Sequence, residues 1–205
     1  MISLQFLLTA FVVVIAPGTG VVYTLALGLG RGRAAAIAAA TGCTFGILPH
    51  LAAATLGLAA LLHTSALLFS VVKWAGVVYL LWLAWGALRQ TGTLAVQPAD
   101  ARGQGLTRIA VQGALINVLN PKLSIFFLAF LPQFAEPAHG AVAPQVIACG
   151  ALFALVTLVV FGGVAWAAGF LGERLGRSGR AQRIMNRAAG AVFVALALRL
   201  VTVER

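Results

Sequence analysis

Six apolar stretches, at about 3–28, 34–62, 67–88, 109–134, 143–171 and 184–203, each approach or exceed the roughly 20 residues a helix needs to cross a bilayer. Hydrocarbon offers no partner for free main-chain N–H and C=O groups, so stretches of this length are expected as helices that satisfy their own. The expected fold is therefore all-α, with six spanning helices. Charged residues make up 9% of the chain, against about a quarter in water-soluble domains, which excludes an ordinary soluble protein. None of the four acidic residues, Asp100, Glu136, Glu173 and Glu204, lies within an apolar stretch. The first stretch lacks a basic leader and continues past Pro17 without a convincing cleavage site, so it reads as a retained helix rather than a signal peptide. Cys43 and Cys149 fall inside stretches and read as small buried side chains, not as a disulfide or metal pair.

The net charge of +10 could point to nucleic acid, but membrane proteins gather Lys and Arg in cytoplasmic loops for orientation alone. Ten of the 14 basic residues fall that way: Arg31 and Arg33 after the first stretch, Arg89, Arg102 and Arg108 after the third, and Arg174, Arg177, Arg180, Arg183 and Arg187 after the fifth. The odd-numbered connections are expected in the cytoplasm and both termini outside. Gln90–Thr107, with Gly92, Pro98, Gly103 and Gly105, reads as a flexible linker. It divides one transporter domain, 1–205, into a three-helix half at 1–89, the linker at 90–108 and a second half at 109–205. Three spans are an odd number, so the second half must insert upside down relative to the first, a 3+3 inverted repeat.

Prolines interrupt the first and fourth stretches at matching places. Pro17 sits in Ala16-Pro17-Gly18 and Pro121 in Asn120-Pro121-Lys122, 104 positions apart (121 − 17). Proline lacks an N–H and clashes with the preceding turn, so each helix is expected to break near its middle. Paired broken helices in two halves of a small membrane protein point to a transport site.

These residues resemble a known family. Ala16-Pro17-Gly18 is followed by Gly42, Gly46 and His50 in the second stretch, and by Val72-Lys73-Trp74, Gly76 and Tyr79-Leu80 in the third. Asn117, Asn120-Pro121-Lys122, Phe126-Phe127, Phe130 and Pro132-Gln133-Phe134 complete the pattern in the fourth. From end to end the chain is similar to the LysE/RhtB amino-acid exporters. The resemblance implies a bacterial inner-membrane exporter energised by the proton gradient or membrane potential rather than ATP, without a cofactor, and plausible as a homodimer. One departure stands out: the family typically reads Pro-Gly-Pro and then Asp or Asn, where this chain has Pro17-Gly18-Thr19-Gly20.

An amino acid brings a carboxylate and an ammonium to a dehydrated site, and both need replacement partners. The break at Pro121 is expected to leave free amide donors at a half-helix N-terminus, which with Lys122 would take the carboxylate while Asn117 and Asn120 add hydrogen bonds. Carbonyls released around Pro17, Gly18, Thr19 and Gly20 would take the ammonium. The simpler alternative is a helix kink whose amide is capped by Asn120. Lys122 weighs against a kink alone, because a lysine this deep costs a few kcal/mol and no carboxylate lies in the spans to pair with it. The same absence favours a neutral substrate, such as threonine, serine, homoserine or a lactone, over lysine or arginine.

His50 is the one histidine within a stretch and a candidate for proton coupling; its bland reading is a packed ring bonded to a carbonyl freed by Pro49. Lys73 lies about 24 Å from Arg89 along a helix and is expected at the outer interface, with Trp74, Trp82 and Trp85 as interfacial anchors. Gly42 with Gly46, the alanine runs and Gly162-Gly163 are expected to allow close helix contact. Thr19, Tyr23, Thr44 and Tyr79 could line a cavity. No phosphate loop or HExxH-type metal motif occurs, so an enzyme is not expected. A channel, or an exporter of another small polar solute or ion, is the competing function.

Overall fold

The computed structural model describes residues 4–16, 18–64, 66–89, 103–177 and separate positions between 183 and 201. Among these, every regular element is helical. Helices α1 (Leu4–Ile15) and α2 (Thr19–Arg31) meet at a 54° bend. Helix α6 (Leu106–Val118) and the segment Pro121–Phe134 meet at 52°. That segment begins as helix α7 (Pro121–Ile125) and loosens into a π turn at Phe126–Phe130 and a 3-10 turn at Leu131–Phe134. The two breaks expected from the prolines are therefore present, although Pro17 itself lies outside the described residues.

Between the breaks run α3 (Arg33–Phe45), α4 (Leu48–Thr64) and α5 (Ala66–Arg89); α8 (Val142–Arg177) follows the second break. The stretch expected as one helix over 34–62 is interrupted at Gly46–Ile47, because Pro49 has no N–H to offer Phe45 O and Ile47 N turns to Thr44 O at 3.1 Å instead. By length and composition Arg33–Gly57 and Val142–Ala168 can each cross a membrane, and each bent pair can supply one more span. Helix α5 adds 24 residues, and the described positions from Arg183 to Val201 are helical. Most of the expected linker lies outside the described residues; α6 begins at Leu106, three residues before the expected 109.

Glycine decides the closest helix contact. A Cβ at Gly42 would collide with Ala110 O, one at Gly46 would stand 2.5 Å from Ala114 O, and one at Gly113 2.8 Å from Ala39 O. Helices α3 and α6 therefore touch backbone to backbone. Gly162 and Gly163, expected in the same role, have no described atom within 4 Å of their would-be Cβ atoms. Helix α8 packs against α1, α2, α3 and α4, and Phe126, Phe127, Phe130 and Phe153 interlock beside it at ring separations of 4.9–5.8 Å.

Arg31 Nη1 donates to Gln104 O at 2.7 Å and the Arg33 guanidinium lies 5.6 Å from the Trp166 ring, so the end of α2 and the start of α3 lie beside the chain that leads into α6 and beside α8. Leu8, Phe11, Leu56, Trp82 and Val159 stand exposed around the bundle, a surface that suits lipid and not water. Cys43 and Cys149 are free and buried.

Candidate functional site

Each helical carbonyl normally accepts from the amide four residues on, so a proline orphans the carbonyl four residues before it. Pro17 does this to Val13 O, and Pro121 does it to Asn117 O. Both orphans find a basic side chain from the other half of the chain. Lys122 Nζ donates to Val13 O at 3.1 Å and to Ala16 O at 3.2 Å. His50 Nε2 lies 2.9 Å from Asn117 O, with its ring against Phe127 at 6.1 Å. The histidine thus occupies a carbonyl freed by Pro121 and not one freed by Pro49.

The two downstream helices start differently. Asn120 is the N-cap of α7: its side-chain Oδ1 accepts from Lys122 N at 3.0 Å, while Leu123 N and Ser124 N reach Asn120 O at 3.1 and 3.2 Å. With Pro121 at the first helical position, the amides expected to be free for a substrate carboxylate are all used locally. That expectation is corrected: the capped kink is the arrangement found, and α7 has only five α-helical residues before the π turn. Helix α2, by contrast, runs for 13 residues from Thr19; its N-cap residue Gly18 is extended, and no side chain caps its first turn. The uncapped helix end lies at the first break.

A cavity of about 20 Å³, room for about one water, lies between the breaks. Gly18, Gly20, Asn117, Asn120 and Lys122 line it together with apolar side chains that include Ile47 and Leu123. Five of the residues expected to bind substrate are thereby brought together. Thr19 and Pro121 are exposed and do not line the cavity, because one step along a helix from Gly20, or from Asn120 into α7, turns a side chain to another face. Pro17 lies outside the described residues.

Asn117 Nδ2 donates to Cys43 O at 2.7 Å, which turns Oδ1 toward Gly20; a Cβ there would stand 2.8 Å from that oxygen and 3.0 Å from Phe161 Cε2. His50 sits one bond behind the cavity through Asn117. Tyr23 bonds Ile109 O and Gln112, and Thr44 bonds Ala40 O, so neither faces the cavity.

Phe153, Thr157 and Phe161 of α8 complete the wall and were not foreseen. Their spacing of four along one long apolar helix, with one hydroxyl among them, is the signal that could have found them. Thr157 is buried and donates to Phe153 O at 2.9 Å. Glu136, the acidic residue whose side chain is described, pairs with His139 at 2.7 Å on the exposed surface, away from the cavity. Among the described residues, no group of His, Cys, Asp or Glu could hold a metal ion.

Comparison with known proteins agrees with this architecture. The chain is 32% identical over 203 residues to an uncharacterized membrane protein of Vibrio cholerae, covering 98% of this chain and 97% of that one. It is 28% identical to the homoserine/homoserine lactone efflux protein of Salmonella typhimurium, covering 92% of this chain and 90% of the relative. It is 26% identical to the leucine efflux protein of Enterobacter sp. strain 638, covering 97% and 94%. No solved structure matches. The LysE type translocator family matches residues 11–204, a range that includes both breaks and the residues that line the cavity between them, and this multi-pass membrane protein belongs to that family.

Proposed function

We propose that the protein exports a small neutral amino acid or a close derivative across the inner membrane, as a secondary carrier built from six spans in a 3+3 inverted arrangement. The observation that carries the reading is Lys122, held inside a membrane protein by two main-chain carbonyls at the meeting of two broken helices. Intramembrane lysine is costly, and a translocator uses it to bind.

An ammonium has three donors, and the two carbonyls use two of them. The third is left for a carboxylate, beside the start of α2, whose dipole also favours an anion. Gly18 and Gly20 let a ligand approach the main chain there, and Asn117 Oδ1 and Asn120 offer polar contacts. The remaining wall, Val13, Val21, Ile47, Leu123, Phe153 and Phe161, is apolar and suits a short uncharged side chain; the described lining has no carboxylate for a second positive charge. Homoserine and leucine, which appear in the names of two relatives, fit this class; homoserine lactone, also in the first name, has no free carboxylate to meet the third donor.

The cavity holds about one water, so loading requires the halves to part around it. Export draws on the proton gradient or the membrane potential, with the basic loops in the cytoplasm, and His50 is the coupling candidate because its ring bridges the first half to Asn117. Efflux of labelled homoserine, threonine, leucine and lysine from proteoliposomes, under a pH gradient and separately under a potential, tests the reading. Saturable efflux of the neutral amino acids is expected. Preferential lysine efflux would remove the neutral class, and non-saturating flux would make the protein a channel.

A further inference from the structure

We infer that Val13 O and Ala16 O form the subsite for the substrate's ammonium, and that Lys122 Nζ is a tethered stand-in which the substrate displaces. The inference rests on the amino-acid reading above and assigns each charge of the solute a place.

Val13 O has lost its helical partner to Pro17, and the amide that would serve Ala16 O belongs to Gly20, beyond the 54° bend. Two carbonyls at the C-terminal end of α1 therefore project into the break, where the helix dipole favours a cation. In this structure that cation is the lysine head. It donates to the two carbonyls at 3.1 and 3.2 Å.

The lysine is also placed to have somewhere to go. Its main chain is fixed by the Asn120 cap, but its head lies on the other half of the chain, at the end of a flexible stem. A Cβ at Gly18 would stand 3.0 Å from Nζ, so no side chain separates the head from the first turn of α2. A short swing carries it from the carbonyls of α1 to that turn. An α-amino acid carries its two charges one carbon apart: its ammonium takes the vacated carbonyls, and its carboxylate lies between the displaced Lys122 and the start of α2. Nothing is transferred covalently; one ammonium replaces another and the net charge of the cage is unchanged.

Selectivity follows from the exchange. A hydroxy acid offers an anion but cannot replace the lysine on the carbonyls. A simple amine can replace it but leaves the released lysine without an anion. A zwitterion meets both requirements.

The test uses the full chain in two arms. In the first, thermal midpoints of wild type and Lys122→Met are followed against methylammonium, with tetramethylammonium, which has no N–H, as control. Methylammonium is expected to stabilise Lys122→Met with an apparent affinity roughly tenfold or more above its effect on wild type, and tetramethylammonium to do nothing. Excess leucine or homoserine should compete with methylammonium in the variant. If the methionine variant does not fold, Lys122→Gln, which is uncharged and keeps a donor, replaces it in the same comparison. In the second arm, 2-hydroxy-4-methylpentanoate is expected to inhibit wild-type leucine efflux roughly tenfold less well than leucine itself. Equal methylammonium binding by variant and wild type, or equal inhibition by the hydroxy acid, overturns the subsite. Absence of any amino-acid efflux from wild type would instead overturn the export reading, and the methylammonium arm would still decide whether the carbonyls form a cation site.

Discussion

The two proline breaks bend by 54° and 52° and orphan carbonyls 104 positions apart (117 − 13), yet they are chemically unlike. At the second break the chain closes on itself: Asn120 caps α7, and Asn117 O is shared between His50 and Asn120 N. At the first break the following helix has no side-chain cap, and the orphaned carbonyl depends on a lysine from 109 residues away. Like geometry in two halves does not give two like sites. On the proposed export reading, the second break, which also has a side-chain cap and a local amide on its freed carbonyl, serves as the frame, and the first is the one a ligand enters.

The largest test of that contrast is Lys122→Met, which removes the borrowed partner and the proposed carboxylate anchor together. At about 1.5–3 kcal/mol for each bond to a charged group, efflux from proteoliposomes should fall by a factor on the order of 100 or more. Wild-type efflux in this variant would end the asymmetry. Gly20→Ala comes next. Its Cβ meets Asn117 Oδ1 at 2.8 Å and the Phe161 ring at 3.0 Å, so efflux should drop about tenfold while the protein still purifies folded.

At the framing break the effects should fall on stability. His50→Ala deletes one buried hydrogen bond and the contact with Phe127, and should cost about 1–2 kcal/mol in a thermal or denaturant titration, whereas His50→Gln, which can still donate to Asn117 O, should recover part of it. A flattened dependence of efflux on the pH gradient in the glutamine variant would show that the histidine also couples protons. Asn120→Ala removes the cap of α7 at about 1 kcal/mol, a midpoint shift of roughly 2–4 °C, and makes the two breaks more alike. The smallest effect belongs to Thr19→Ala. Its side chain is exposed, so efflux should stay within about twofold of wild type; a large loss would return Thr19 to the site.

Much of this was legible in the residues. Membrane helices announce themselves by length and polarity, and a proline breaks a helix wherever it stands, so the positions of both bends and the depth of Lys122 needed no tertiary information. The amide donors at Pro121 were misplaced because an asparagine directly before a proline reads equally as ligand or as cap, and only the rotamer of Asn120 separates the two. Thr19 enters the expectation through its main-chain carbonyl, and the outward turn of its side chain is a separate matter of helix geometry. The face of α8 that closes the cavity went unseen because Phe153 and Phe161 look like any apolar residues of a long helix. Gly162-Gly163 show the converse: small residues permit close contact but do not by themselves bring a neighbour, and among the described residues none lies against them.

By itself the sequence determined what local covalent chemistry decides: that the chain dissolves in lipid, where its helices must fail, and that each failure strands a carbonyl. Which groups answer those carbonyls was settled only in three dimensions, by contacts spanning 67, 74, 106 and 109 residues from His50, Asn117 and Lys122. An unpaired carbonyl inside a membrane accepts from whatever donor the packing brings within about 3 Å, and packing is a property of the whole bundle.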